Sequence, residues 1–134
     1  MSLYLDSSAL LKRYLDEPDS DANDQVLASD RVWITGRHTY VEVRRNLHRN
    51  LAARDLTLAR QNFLSDWDTM HVVELDFETF ELAAELAEVT GARTLDSMHL
   101  GAASRVGRGG LPFVTYDLRQ AQAARSLGWT VLGA

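Results

Sequence analysis

The chain of 134 residues contains no cysteine, and this absence excludes a disulfide framework and any metal site built on thiolate ligands. It has no run of about 18 apolar residues, the length that a membrane-spanning helix needs. The N-terminus also lacks the basic segment and apolar run of a secretory signal. We therefore expect a soluble, cytoplasmic protein without a membrane partner, whose candidate metal ligands are oxygen atoms and imidazole nitrogens.

Positive charge is also scarce, because 14 basic residues stand against 19 acidic ones and the formal net charge is -5. This balance argues against a nucleic-acid partner, since phosphate binding relies on Lys and Arg. The local distribution differs, because residues 37–60 carry six arginines and only two acids. The planar guanidinium suits phosphate groups, so Arg44, Arg45 and Arg49 are candidate phosphate contacts. A solvated, arginine-rich helix face explains the same pattern.

Short apolar segments alternate with helical segments along the chain, without an internal repeat or a linker. The apolar segments predict five strands, at residues 3–5, 32–34, 71–75, 113–115 and 128–132. Regular alternation of strands and helices is typical of a parallel sheet covered by helices. The sequence therefore predicts one α/β domain over residues 1–134 with a mostly parallel, five-stranded central sheet.

Apolar spacing and end signals predict helices between these strands. They cover residues 7–15, 19–28, a segment from Thr35 or Gly36, residues 56–67, the segment between Asp76 and Gly91, one from about residue 94, and one from Asp117. In the fifth of these helices Phe77, Phe80, Ala84 and Ala87 repeat at helical spacing. In the sixth, Leu95, Met98, Ala102 and Val106 mark the inward side. The glycines at 107, 109 and 110 form no phosphate loop, because no Lys-Ser or Lys-Thr follows them.

Four acids stand at positions where such a sheet places functional side chains. Asp6 directly follows the first predicted strand and Asp117 follows the fourth, while Glu42 and Asp96 lie near the starts of helices. The carboxyl ends of parallel strands open into one crevice, and we expect the four carboxylates to meet there. Helix capping explains Asp6 as well, and ion pairing with Arg45 or Arg49 explains Glu42. Convergence of four like charges would require a cation.

Oxygen ligands alone favour Mg²⁺ or Mn²⁺ over zinc or copper. Such an ion can activate water and stabilise the oxyanion that leaves a phosphodiester. Asp6 and Asp117 are the first candidates for direct ligands and Asp96 the next. Glu42 is a candidate for a second metal or for the attacking water, and the choice between one and two ions stays open.

Other polar residues have two interpretations each. His99 follows Asp96 by three residues, so it is either a ligand beside Asp96 or a hydrogen-bonded structural histidine. No second histidine stands near His99 in a metal-binding spacing. Ser7 and Thr115 either orient carboxylates or cap helices and fill turns. The histidines beside the arginines are candidate nucleic-acid contacts or plain surface residues: His38 and His48.

Together these motifs resemble those of PIN-domain ribonucleases, and in particular of VapC toxins from bacterial type II toxin–antitoxin pairs. The matching stretches are LDSSAL at 5–10, YVEV at 40–43, LDSMHLGAA at 95–103, and TYD at 115–117 followed by Ala121, Ala124 and Gly128-Trp129. The resemblance implies a three-layer α/β/α fold, Mg²⁺- or Mn²⁺-dependent RNA cleavage, homodimerisation and inhibition by a VapB-like antitoxin. It assigns the catalytic quartet to Asp6, Glu42, Asp96 and Asp117, and a supporting role to Thr115.

The resemblance further implies that the antitoxin places a helix near the first two helices, where apolar residues between Leu10 and Leu27 are abundant. Simple core packing also explains that abundance. A PIN-like module that binds RNA or assembles without turnover is the alternative function. A phospho-accepting receiver domain and a haloacid-dehalogenase-type phosphatase are disfavoured, because Ser7 and Ser8 stand where those mechanisms need a second acid.

Overall fold

A computed structural model describes residues 2–107 and 110–134 of the chain. Its sheet has five strands: β1 (Ser2–Leu5), β2 (Val32–Gly36), β3 (His71–Val73), β4 (Phe113–Thr115) and β5 (Val131–Gly133). All strand pairs are parallel, and the order across the sheet is β3-β2-β1-β4-β5. The predicted parallel five-stranded sheet is confirmed, and β1 and β4 are neighbours, so the segments that follow them begin side by side.

Helices connect the strands and cover both faces of the sheet. They are α1 (Ser7–Tyr14), α2 (Ser20–Ala28), α3 (Thr39–Asn50), α4 (Ala53–Trp67), α5 (Phe77–Thr90), α6 (Thr94–Gly107) and α7 (Leu118–Ser126). The predicted start of α3 at Thr35 or Gly36 is wrong, because both residues belong to β2. The Thr35 hydroxyl donates to the carbonyl of Leu5 at 2.7 Å, and Gly36 pairs with Val73. Sheet pairing therefore overrides the helix signal that follows these residues.

Successive side chains of β1 point to opposite faces of the sheet, and each face packs against a layer of helices. The protein therefore has two hydrophobic cores and three layers. Leu3 and Leu5 pack on one face against α1 to α4, with Phe63 of α4 fully buried among them. Tyr4 points to the other face, where it packs with Leu100 of α6 and with residues of α7. Because helices bury both faces of the sheet, the central strands do not alternate between polar and apolar residues as half-exposed strands do. The three-layer α/β/α arrangement expected from the resemblance is confirmed.

The large apolar residues that repeat at helical spacing in α5 do not form its buried face. Phe77 is 78% exposed and Phe80 45% exposed, whereas Thr79 and Ala83 are buried. These buried residues face Gly101 of α6, where an added Cβ would lie 2.9 Å from the Thr79 carbonyl oxygen. Close contact between α5 and α6 therefore selects small side chains, and the aromatic side chains are left outside.

The predicted inward face of α6 is also displaced. Leu95 is 49% and Val106 37% exposed, while Leu100, Ala102 and Ala103 are buried. Because α6 is covered by the sheet on one side and by α5 on another, its buried surface is wider than one apolar stripe. The prediction that small residues let this helix approach a neighbour is confirmed at Gly101.

Local sequence signals predict where the helices begin and end more reliably than they predict which side chains face the core. Asp76 caps α5 by accepting from the Thr79 amide at 3.0 Å, and Gly91 ends that helix with φ of 75°. β3 ends at Val73 rather than at residue 75, and β5 lies at 131–133 rather than at 128–132. Gly107 ends α6, whereas Gly109 lies outside the described residues. In the described part of the chain, no helix has the length and apolar character needed to cross a membrane.

Candidate metal centre

Asp6 lies directly after β1 and caps α1. Its Oδ1 accepts hydrogen bonds from the Ala9 amide at 3.1 Å and from the Ser8 hydroxyl at 2.6 Å, and its Oδ2 accepts from the Thr115 hydroxyl at 2.5 Å. Only 3% of the residue is exposed. The capping interpretation and the site interpretation are thus both compatible with the structure, because the cap holds the carboxylate rigidly at the end of the sheet.

The buried position of Asp6 makes its charge costly. Burial raises the pKa of the Asp6 carboxyl, although the charge of His99 and the hydrogen bonds from Ser8, Thr115 and the Ala9 amide oppose the rise. The described residues therefore compensate the carboxylate only in part. A cation bound beside Asp6 would favour the ionised form, as expected for a metal ligand.

Asp117 has the same local arrangement at the end of β4. Its Oδ1 accepts from the amides of Arg119 at 2.9 Å and Gln120 at 3.1 Å, which caps α7. Its own amide donates to the Thr115 hydroxyl at 3.1 Å. The carboxylate is therefore oriented by the helix start, and its Oδ2 is left to face other charges.

Asp96, in the first turn of α6, is joined to Asp117 by an arginine. The Nε of Arg93 lies 3.2 Å from Oδ2 of Asp96, and its Nη2 lies 3.3 Å from Oδ2 of Asp117. The Arg93 side chain is 63% exposed. Exposed ion pairs contribute about 0–1 kcal/mol, so a divalent cation can displace this guanidinium. The guanidinium of Arg93 is thus the positive charge between Asp96 and Asp117.

Glu42 on α3 contacts histidines. Its Oε1 lies 2.9 Å from Nε2 of His99 and 3.7 Å from Nε2 of His38. Burial acts to raise the pKa of Glu42, but the hydrogen bond and charge of His99 outweigh it and lower that pKa. The suggested pairing of Glu42 with Arg45 or Arg49 is not found among the ion pairs of the described residues.

All four predicted acids line one cleft at the carboxyl edge of the sheet. The cleft has a volume of about 500 Å³ and is bordered by Asp6, Ser7, Ser8, Glu42, Arg93, Thr94, Leu95, Asp96 and Asp117. The predicted convergence of the acids is thus present in the structure, because neighbouring parallel strands end at this edge. Their role as ligands stays a prediction.

The donor chemistry of the cleft fits a hard divalent cation, since carboxylate oxygens are the ligands that Mg²⁺ and Mn²⁺ prefer. Within residues 2–107 and 110–134, however, no three of the four acids have ligand atoms within 4.8 Å of one another. The like charges repel, and Arg93 supplies a counter-charge between Asp96 and Asp117.

The supporting residues lie where the sequence predicts them. Thr115 contacts Asp6 directly and is contacted by the Asp117 amide, so one hydroxyl connects two of the acids. Ser7 lines the cleft, and its hydroxyl helps to lower the pKa of Glu42. Both positions agree with a role in orienting carboxylates, and that role stays a prediction.

The histidines depart from the sequence interpretation. His99 hydrogen-bonds to the Tyr4 hydroxyl and to Glu42, both at 2.9 Å, in agreement with a structural histidine. No second histidine stands near His99 in sequence, but the fold brings His38 to it, with 4.0 Å between the ring centroids. The side chain of His38 is only 9% exposed, whereas His48 is exposed. The spacing of four between His38 and Glu42 is the sequence signal that could have indicated this cluster.

The arginines of α3 point in different directions. Arg44 donates to the Tyr40 hydroxyl at 3.0 Å and stacks over that ring, so it is held on the side of α3 opposite Glu42. Arg45 and Arg49 are exposed and lie three and seven residues after Glu42, on its side of the helix.

Sequence reasoning missed two further arginines near the acids. Arg93 lines the acid cleft, and an adjoining groove of about 500 Å³ is bordered by Arg93, Asp96, Arg119 and Gln122. The position of Arg93, three residues before Asp96, is a spacing that could have indicated their pairing.

Comparison with known proteins agrees with the fold. Residues 3–126 match the family described as PIN domain. Ribonuclease VapC46 of Mycobacterium tuberculosis is 34% identical over 132 residues, covering 98% of this chain and 96% of that protein.

Two solved structures show the same fold at low sequence identity. The crystal structure of Mycobacterium tuberculosis VapC20, a sarcin-ricin loop cleaving toxin, has a TM-score of 0.67 and 18% identity over 90% of this chain and 94% of that chain. VapBC2 from Rickettsia felis, bound to a DNA fragment from its promoter, has a TM-score of 0.69 and 14% identity over 99% and 98%.

Proposed function

Because this chain belongs to the PIN domain family, we propose that it is a metal-dependent endoribonuclease of the VapC type, the toxin of a toxin–antitoxin pair. The family resemblance of its four sequence motifs is confirmed by the match over residues 3–126. The observation that carries the proposal is the single cleft that Asp6, Glu42, Asp96 and Asp117 line together.

Mg²⁺ or Mn²⁺ is the proposed cofactor, held by Asp6, Asp96 and Asp117, with Glu42 as a further ligand or as the residue that orients the attacking water. When bound, the ion would activate water and stabilise charge on the phosphate. The Thr115 and Ser8 hydroxyls keep the Asp6 carboxylate in one orientation, which is what a ligand of fixed geometry requires.

RNA is the proposed substrate, and arginines on two sides of the cleft support this choice. Arg93 and Arg119 border the groove next to the acids, and Arg45 and Arg49 extend from α3 on the side of Glu42. Arg44 completes the set of proposed RNA contacts from the sequence, although its stacking on Tyr40 holds it farther from the acids. Cleavage of cellular RNA would take place in the cytoplasm.

A VapB-like antitoxin is the proposed partner. The apolar residues of α1 and α2 mostly serve the core, since Leu10 and Leu27 are fully buried. Leu11 and Leu15 nevertheless line a groove of about 350 Å³ that also reaches Asp117. A partner segment seated there would lie beside the acid cleft and could block it.

A homodimer is also proposed from the resemblance. Large apolar side chains that remain exposed support it by offering surface for self-association: Val41 at 67%, Phe77 at 78%, Val89 at 74% and Leu118 at 70%. Light scattering on the purified chain would report the mass directly, and a monomer at all concentrations would contradict this part of the proposal.

Cleavage of purified RNA with and without Mg²⁺ or Mn²⁺ tests the proposed activity. We expect Asp6→Asn and Asp96→Ala to abolish cleavage while RNA binding is retained, because the ligands act on the ion and not on the phosphate chain. Asp55→Asn, at an exposed site on α4, is the matched control and should cleave normally. Wild-type chain that binds RNA but never cuts it would favour the non-catalytic module.

Sequencing of RNA 5′ ends after brief expression in cells extends the test to the target. New ends should appear with the wild-type chain and be absent with Asp96→Ala. The positions of these ends would also identify the RNA that is cleaved.

A further inference from the structure

His38, Glu42 and His99 form a compact cluster behind the acid cleft. His38 and Glu42 are one helical turn apart at the start of α3, and His99 projects from α6. Each residue offers one ligand atom, and the three atoms all lie within 4.8 Å of one another. No other group of three His, Asp or Glu side chains among residues 2–107 and 110–134 meets that distance.

The side chain of His38 lacks the hydrogen bonds that a buried imidazole normally makes. It is 9% exposed, and neither Nδ1 nor Nε2 makes a close hydrogen bond among the described residues, although a weaker interaction with the Leu95 backbone acts to raise the pKa of the ring. Buried polar atoms are nearly always paired, and an unpaired one commonly marks a place for water or an ion. Gly36 accommodates the ring, because a Cβ there would lie 2.7 Å from His38 Nδ1.

His99 is oriented as a metal-binding histidine usually is. Its Nε2 faces Glu42 Oε1 at 2.9 Å, and its Nδ1 is 2.9 Å from the Tyr4 hydroxyl. Histidines that bind metals typically engage the second ring nitrogen in a hydrogen bond, which fixes the ring and its tautomer. In the metal-free chain Nε2–H donates to the Glu42 carboxylate and Nδ1 accepts from the Tyr4 hydroxyl. An ion bound at Nε2 would replace that proton, and Nδ1 would then carry a proton facing the Tyr4 oxygen.

The geometry points to a transition-metal site of Zn²⁺ type at His38 Nε2, Glu42 Oε1 and His99 Nε2, separate from the acid quartet except for the shared Glu42. Donor atoms of a tetrahedral zinc site lie about 3.3 Å apart, since Zn–N and Zn–O bonds are about 2.0–2.1 Å. The distances of 2.9 and 3.7 Å from Glu42 Oε1 to His99 and His38 bracket that value.

Two imidazoles and one carboxylate favour zinc over magnesium, because Mg²⁺ requires oxygen ligands. Three protein ligands leave a fourth position for water. Because Glu42 is shared, an occupied zinc site would withdraw Glu42 from the acid cleft, a consequence that rests on the proposed function.

Calorimetric titration of the metal-free chain with Zn²⁺ tests the site without any assay of cleavage. We expect one equivalent to bind, with an affinity that falls at least tenfold in His38→Gln. His48→Gln, at an exposed histidine on the same helix, is the matched control and should bind like wild type. Asp96→Ala should also bind like wild type, because Asp96 belongs to the acid quartet only.

X-ray absorption at the zinc edge of the wild-type chain provides a measurement that needs no variant. Two imidazole ligands are expected. Absence of zinc binding, equal binding by His38→Gln, loss of binding in Asp96→Ala, or fewer than two imidazoles would each overturn the proposal. Loss of RNA cleavage in any variant would bear on the proposed function and leave the zinc result unaffected.

Discussion

The hydroxyl of Thr115 donates a hydrogen bond of 2.5 Å to Oδ2 of Asp6, a residue 109 positions earlier in the chain. The contact exists because β1 and β4 are neighbouring parallel strands, so the residues at their carboxyl ends lie side by side. Thr115 also accepts a hydrogen bond from the Asp117 amide. One hydroxyl thereby fixes the relative positions of two proposed metal ligands.

Thr115→Val should weaken metal binding and RNA cleavage by about 10- to 100-fold, because Asp6 loses the group that orients it. Folding stability should fall by about 1–3 kcal/mol, since a buried hydrogen-bonding partner is removed. Mg²⁺ titration, cleavage rates and urea unfolding measure these effects. Thr57→Val, at an exposed site on α4, is the control. Metal affinity that is unchanged in Thr115→Val would show that the hydroxyl does not position a ligand.

Asp6→Asn should raise the stability of the metal-free protein at neutral pH. The unfolded chain loses the Asp6 proton near the ordinary pKa of 3.8, whereas burial raises the folded-state pKa. The folded chain therefore holds more protons between the two values, and stability falls as the pH rises through that window. Each unit of pKa difference corresponds to about 1.4 kcal/mol.

Thermal unfolding of wild type and Asp6→Asn in a chelator, from acidic to neutral pH, checks this expectation. The advantage of the variant should vanish below pH 3.8, where Asp6 is protonated in both states. Addition of Mg²⁺ should then stabilise wild type more than the variant. Destabilisation of Asp6→Asn at neutral pH in the chelator would contradict the argument from burial.

Arg93→Ala should change metal binding and RNA binding in opposite directions. Removal of the guanidinium between Asp96 and Asp117 leaves two acids without their counter-charge, so Mg²⁺ affinity should rise. Loss of a phosphate contact should weaken RNA binding and reduce its salt slope by about 0.7–0.9. Arg105→Ala is the control, because Arg105 pairs with Asp76 at a distant helix end. Metal affinity that falls in Arg93→Ala would show that Arg93 does not compete with the cation.

Arg49→Ala should weaken RNA binding more than Arg44→Ala does. Arg49 lies on the side of α3 that carries Glu42, whereas Arg44 is stacked on Tyr40. Fluorescence anisotropy at several salt concentrations would measure both affinities, with a slope change of about 0.7–0.9 for each lost phosphate contact. Equal losses in the two variants would place the RNA on both sides of α3.

Local sequence signals were sufficient for the number and order of the strands and for the helix caps, but not for the ends of β2, β3 and β5. Asp6, Asp76 and Asp117 each follow an apolar strand segment and accept amide hydrogen bonds from the next helix, as their positions predict. These features depend on neighbours in the chain. The residues of α5 and α6 that face inward could not be fully predicted from their spacing, because the choice between Phe77 and Thr79 depends on how closely the two helices approach.

The sequence by itself determined the parallel sheet and the placement of carboxylates at its edge, because strand alternation and capping are local properties of the chain. Only the tertiary structure decided that Arg93 lies between Asp96 and Asp117, and that His38 meets His99 beside Glu42. These contacts join residues on separate elements, and their distances follow from strand order and helix packing. The spacings from Arg93 to Asp96 and from His38 to Glu42 indicate only the local pairs, and not the contacts with Asp117 and His99.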